Sequence, residues 1–452
     1  MKKQLTTILF SLLSVICIAQ EKLSLEQCLD SARLYNHTLQ NAALSIDAAN
    51  LTISEARTHY YPTVAANVMA FYAFDKMMKG DGTIPAEVAA ISPALAAYAG
   101  QPYAIRELNS AYNATLSVMQ PIYAGGQIHT ANKLAELQRD VNHLKYGMEL
   151  RELEQKITEN YWQIATVKYN LSTLDAADRQ VGEVYRQVEQ FLNAGLCNQN
   201  DLLRVKLRQQ ELASQRLRLN NAQHVLLLLL AQQIGLANHN IDIESGIPND
   251  KVILNDQLSF ANGQNNREEI ALATKAIEAA ELQIKMERAK LMPTVGVGLV
   301  GYNVGIGGLS STARNIVKTN QLNAMVAATV SVPISAWWGG SKAIKRRKLE
   351  LQQSQNTLLD TQEKIRVDIE SAWADLRQAY QQIDIARASV EQAAENLRIS
   401  SLQYKAGTET LSNLLDAETL NRQAQNSLSN ALADYQSRLA IYRLKTRQSK
   451  NH

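Results

Sequence analysis

Cysteine, proline and long apolar runs are all scarce in this chain of 452 residues, and each scarcity removes a class of protein. Of its 3 cysteines, Cys17 falls in an N-terminal leader, so Cys28 and Cys197 leave room for one disulfide and exclude a disulfide framework. The 7 histidines are scattered, with no HExxH pair and no cysteine cluster, so no metal-ligand spacing is present. Neither a GxSxG elbow nor a phosphate-cradling GxxxxGK occurs. The stretch "GVGLVG" from Gly296 does match GxGxxG, but it lies inside an alternating segment instead of at a strand-to-helix turn, and small residues facing a lumen explain it better. The sequence therefore predicts no enzyme, no cofactor and no metal site. Past the leader, no apolar run reaches the ~18 residues of a spanning helix. The run from Val225 to Leu230 is short and reads as buried core of a polar helix.

What is present begins with that leader. Residues 1–19 combine two lysines, an apolar core from Ile8 to Ile18 and a small residue, Ala19, at the cleavage point, the pattern of a secretory signal peptide. Ile16 stands where lipid attachment to Cys17 needs a small residue, which argues against an anchor. Without the leader, 44 basic side chains face 43 acidic ones, a balance of +1 that implies no nucleic-acid partner.

The rest is two copies of one unit. "YPTVAANV" from Tyr61 returns as "MPTVGVGL" from Met292, "QPIYAGG" from Gln120 as "VPISAWWGG" from Val332, and "NAGLCNQNDLL" from Asn193 as "KAGTETLSNLL" from Lys405. Pro62 and Pro293 are 231 residues apart, while Pro121 and Pro333, like Gly195 and Gly407, are 212 apart, so the copies differ mainly in one loop.

Proline breaks helix interiors, and residues 122–247 and 334–452 contain none. Both intervals carry heptad seams: Leu150, Ile157, Ile164 and Leu171 beside Val167, Leu174, Val181 and Val188 in the first, and Ile365, Ile369, Leu376, Ile383, Val390 and Leu397 in the second. In the second, small Ala372, Ala379, Ala386 and Ala393 share the seam and permit close helix approach. Each interval splits at a glycine turn, Gly195 or Gly407, which ends a helix in the left-handed conformation. The long helices then span about 127–191 and 341–404, each on the order of 95 Å, followed by helices at about 200–235 and 411–447. Periodicity alone equally allows an ordinary antiparallel coiled coil.

Between the prolines the period drops to two. Leu108, Tyr112, Ala114, Leu116 and Val118 alternate with Asn109, Asn113, Thr115 and Ser117, and the same alternation recurs in three further stretches. Strands are predicted at about 62–76, 107–122, 293–307 and 319–334. They fit either two soluble hairpins or a share of a transmembrane barrel, which needs at least eight strands and hence several chains. Tyr60, Tyr61, Tyr123, Trp337 and Trp338 cluster at the strand ends, as interfacial aromatics do, although such rings also pack on helices.

In this order, repetition and spacing, with "PTV" after each leading helix, a proline and glycine pair before each long helix, and the "AGL" and "YKAG" turns, the mature chain resembles the TolC-like outer-membrane efflux and secretion channels. The resemblance implies a mainly α fold with a β-barrel part. Tandem repeats of helix, strand, strand, long helix, turn and helix, at 20–235 and 263–447, would be joined by a connector over 236–262 and followed by a tail at 448–452. It further implies a homotrimer whose twelve-stranded outer-membrane barrel continues into a periplasmic α-barrel, working with a periplasmic adaptor and an inner-membrane transporter. Residues 77–106 would form an external loop and Gly308–Lys318 its shorter twin. Pro121, Gly125, Gly126, Pro333, Gly339 and Gly340 would be barrel-to-helix joints, with Tyr123, Trp337 and Trp338 at the interface. Ala194, Gly195, Leu196, Asp201, Ala406 and Gly407 would be adaptor-docking tips. Tyr404, Glu409, Asn413 and Asp416 would sit at a periplasmic aperture, Asp416 giving a cation-attracting ring or else facing solvent or capping a helix. Asn413 stands where a second acid is frequent and Glu409 where an arginine ties the gate. The competing reading is a soluble periplasmic coiled-coil adaptor or scaffold.

Overall fold

The computed structural model describes residues 21–74, 82–83, 102–103, 108–237, 240–244, 246–248, 267–309 and 316–446. The leader, most of the expected 77–106 loop, residues 249–266 of the connector and the 448–452 tail lie outside those residues.

In chain order the elements are β1 (Glu21–Leu23), α1 (Leu25–Tyr35), α2 (His37–Thr58), β2 (Thr63–Tyr72), β3 (Gly82–Thr83), β4 (Pro102–Tyr103), β5 (Leu108–Ala124), α3 (Gln127–Asn193), α4 (Gln199–Gln233), β6 (Ile241–Ile243), α5 (Glu268–Ala289), β7 (Thr294–Leu309), β8 (Ile316–Ser331), α6 (Ala336–Lys405) and α7 (Leu411–Thr446). The duplicated plan is thus present. The leading helix of the first copy is broken at Asn36, whose Oδ1 accepts from the Thr38 and Leu39 amides while its Nδ2 donates to the Gln233 carbonyl. A buried amide that serves three backbone groups starts a new helix at His37.

The chain forms two compact units. One comprises residues 47–140 and 275–355 and contains a four-stranded antiparallel sheet in the order β2-β5-β7-β8. Register decides what this sheet presents. Val118 pairs with both Val64 and Leu299, and Leu299 with Val326; Leu116 pairs with Ala66 and Gly301. One face therefore gathers Val64, Val68, Leu116, Leu299, Leu322, Val326 and Val330, all of them exposed. The other face carries Thr63, Asn67, Thr115, Ser117, Asn323 and Thr329. Since pleating alternates side chains, one pairing scheme sorts all four strands at once. Pairing of β7 with β8 continues to Leu309 opposite Ile316, so the ladder takes up the ends of the segment expected as a loop from Gly308 to Lys318.

The other unit, residues 1–46, 141–274 and 356–452, is helical. The heptad seams are its core: Leu174, Val181 and Val188 of α3 pack with Val205 and Leu212 of α4, and Ala372, Leu376, Ala379, Ile383 and Ala386 of α6 with Leu432, Tyr435 and Tyr442 of α7. Each fully buried leucine or isoleucine here contributes about 1.5–3 kcal/mol. The described start of the connector packs against the helices. Ile241 and Ile243 are buried against Cys28, Ile157, Ile164 and Leu230, β6 runs parallel to β1, and Lys168 of α3 grips Asp242 at 2.8 Å. Cys28 and Cys197 are both free thiols, so the one disulfide the sequence allows is not formed, and burial pushes the Cys28 thiol up to about 12.

Candidate functional site

The predicted site residues fall at two places, the tips of the helical unit and the strand-to-helix joints of the sheet unit. At the tips, α3 and α6 both end in the same backbone device. Gly195 has φ +71° and Gly407 φ +74°; the amides of Leu196 and Thr408 reach back to the carbonyls of Phe191 and Gln403, while the glycine amides bond Leu192 and Tyr404. This is a Schellman close, and it needs a residue tolerant of the left-handed region. Ala194, Gly195, Leu196, Ala406 and Gly407 are exposed, and Leu196 presents 74% of its surface.

Asp201 has a structural task. It is the reciprocal partner of Asn198 in the capping box that opens α4, each side chain bonding the other's amide. Tyr404, an aperture candidate, packs within its own chain. It is buried in the tip core with its ring 6.3 Å from that of Phe191, because its position on α6 points into the α3–α4 hairpin, and burial pushes its phenol up. Glu409 accepts from the Asn413 side chain and from the Thr410 amide, so these two aperture candidates act as one unit at the head of α7. Asp416 is exposed and makes no ion pair among the described residues.

One feature of the tip region was not expected from sequence. Arg208 of α4 donates to Glu418 of α7 at 2.7 Å and to Thr419 at 2.8 Å, and Glu418 is almost wholly buried. Burial pulls the Arg208 pKa down, but its bonds to Glu418 and Glu211 outweigh that and raise it. Arg422, 3.9 Å from Glu418, is lowered by burial and by the neighbouring Arg208 charge. The signal was in the heptads: Leu411, Leu432 and Leu439 share a seven-residue register in which Glu418 and Gln425 take the intervening places.

At the joints the two copies differ. Pro121 does not end its strand: β5 runs on to Ala124 with a bulge between Pro121 and Tyr123, while its pairing with β2 stops at Met119. A residue without an N–H is accommodated at such a bulge. Pro333, by contrast, lies beyond β8. Gly125 and Gly126 have φ +62° and +84°, and a Cβ on Gly125 would stand 2.5 Å from the Ala289 carbonyl. Gly339 and Gly340 are helical residues of α6, which starts at Ala336, so they make no strand-to-helix turn. Gly340 serves instead for close packing on Leu291, and Trp337 Nε1 donates to the Leu291 carbonyl at 2.9 Å. Both joints thus rest on the segment Ala289–Met292. Tyr123, Trp337 and Trp338 are exposed there. A concavity of about 530 Å³ opens at the strand ends, lined by Thr63, Met119, Gly296, Thr329 and Met286.

The family profile described as "Outer membrane efflux protein" matches residues 28–235 and 262–444. The chain belongs to that family. Three solved outer-membrane proteins share the fold over nearly its whole length. These are the CmeC outer membrane channel of Campylobacter jejuni (TM-score 0.76, 14% identity, 93% of this chain and 85% of that one), the MtrE outer membrane channel of Neisseria gonorrhoeae in its open state (0.71, 18%, 96% and 93%) and VceC of Vibrio cholerae (0.70, 15%, 93% and 95%). A sequence search of curated proteins finds no match. As an outer membrane efflux protein the chain is an outer-membrane channel reaching into the periplasm and not an enzyme, and the soluble adaptor reading is set aside. Members of this family form trimeric channels in tripartite efflux systems.

Proposed function

We propose that three copies of this chain close one twelve-stranded barrel and conduct cargo passively, delivered by an inner-membrane transporter through a periplasmic adaptor. The observation that carries this reading is the sheet. It has one apolar and one polar face, and among the described residues β2 and β8 each keep one edge unpaired. Open edges are not tolerated in lipid, and four strands are too few to close, so neighbouring copies complete the ladder. The exposed tip residues Ala194, Gly195, Leu196, Ala406 and Gly407 are the surface offered to the adaptor, with Asp201 holding the shape of that surface through its cap.

In the same reading Asp416 faces the aperture, where three copies give three carboxylates in a ring that attracts cations. The linked Glu409–Asn413 pair sits one helical turn away, and the buried Tyr404 supports the tip from within. Extraction provides the first check: the mature protein is expected as a detergent-requiring trimer, and a monomer soluble without detergent removes the proposal. For the aperture, Asp416→Asn in planar bilayers is expected to lower single-channel cation selectivity and alter conductance. If both stay at wild-type values, Asp416 is not at the constriction.

A further inference from the structure

The start of α6 carries a charge that its counterpart lacks. Ala336–Lys348 holds Lys342, Lys345, Arg346, Arg347 and Lys348 with no acid, a balance of +5, whereas the same thirteen residues at the head of α3, Gln127–Arg139, come to +1. Arg347 is engaged with Glu287, Glu350 and Gln283 of its own unit, and Arg346 approaches Glu350. Lys342, Lys345 and Lys348 are exposed and make no ion pair among the described residues, and neither do the exposed Lys285 and Arg288 of α5.

Helical geometry puts Trp338, Lys342, Lys345 and Leu349 on one row, at i, i+4, i+7 and i+11. Trp338 is 80% exposed and Leu349 is exposed as well. Forward along the chain, Val326 and Val330 of the apolar sheet face are followed by exposed Ile334, then Trp338, then the lysines. Apolar band, tryptophan and cation is the order of side chains across a membrane interface. The lysine Cα atoms lie about 6 and about 10 Å along the axis from that of Trp338, within the reach of a headgroup layer for a snorkelling stem.

We propose that this face of α6 holds the phosphates of anionic phospholipid in the periplasmic leaflet, an attachment made by the second repeat and not the first. It rests on the reading that the apolar sheet face meets lipid. It adds headgroup selectivity, which that reading does not require.

The test uses the full-length protein reconstituted into vesicles, with tryptophan fluorescence quenched by brominated phosphatidylglycerol or by brominated phosphatidylcholine. Wild type is expected to prefer phosphatidylglycerol several-fold at low salt, with each cation contributing on the order of fivefold at most. The Lys342→Gln/Lys345→Gln/Lys348→Gln variant, still trimeric, is expected to bring the ratio close to one, as is high salt for the wild type. Equal quenching by both lipids in the wild type, or an undiminished preference in the variant, overturns the proposal. Loss of the trimer in the variant also overturns it, since the face would then be a subunit interface. Absence of quenching by either lipid instead removes the membrane reading of the sheet and the proposal with it.

Discussion

Glu418 takes a place in the α7 seam that the heptads at Leu411, Leu432 and Leu439 fill with leucine, and it is kept there by Arg208 of the other helical hairpin. Removing one partner of a buried pair strands the other charge, so Glu418→Gln is expected to destabilise the helical unit by about 3–5 kcal/mol. Replacing both Arg208 and Glu418 with methionine is expected to restore most of that loss. Chemical unfolding followed by circular dichroism measures both. At this scale the sequence was legible only where backbone chemistry dictates the residue. Gly195 and Gly407 could be read as helix ends because few other residues adopt their φ, and Asp201 was placed at the correct turn. Its capping task was missed, and the sequence did not say whether the Tyr404 ring faces an opening or, as it does within the chain, packs beside Phe191. A tyrosine has the same letter in either place, and only the neighbouring hairpin decides which way it faces.

Elements were far more legible, because their signals are periodic and sum over many residues. The four strands lie where alternation put them, and the seams Ile157–Val188 and Ile365–Ala386 contain the buried residues. Boundaries moved where a local interaction overrode a punctuation residue. Pro121 was read as a strand end, but a bulge carries β5 past it; Gly339 and Gly340 were read as a turn, but α6 begins ahead of them, pinned by the Trp337 bond to Leu291. β6 escaped notice because three residues carry too short an alternation to stand out in a polar connector. The face assignment of β8 yields a sharp contrast between neighbours. Val326→Lys, on the apolar face, is expected to cost about 2–4 kcal/mol of barrel stability at mid-membrane. Ala327→Lys, one residue on and facing the polar side, is expected to leave trimer yield near wild type. Refolding into lipid vesicles with urea titration compares the two.

For the molecule as a whole, duplication was the most informative property of the sequence, since two copies of a helix, strand, strand, helix plan leave few architectures open. The family profile matches the chain over residues 28–235 and 262–444. What duplication conceals is how the copies have diverged: one joint depends on the backbone freedom of Gly125, the other on the close fit of Gly340 against Leu291, and only the second is followed by a dense row of cations. A comparison of the halves as sequences shows the shared pattern first, and the differences gain meaning once the contacts around Ala289–Met292 are known.

The β5–β7 ladder joins the halves through backbone hydrogen bonds along almost the full length of both strands, from Leu108 opposite Gly308 to Ala124 opposite Thr294. Covalent continuity between the halves is then dispensable for their association. A gene divided in two at the 249–266 segment, each piece given its own export leader, is expected to complement: co-produced fragments should co-purify as a trimer of heterodimers with channel activity, while either fragment alone should fail to insert.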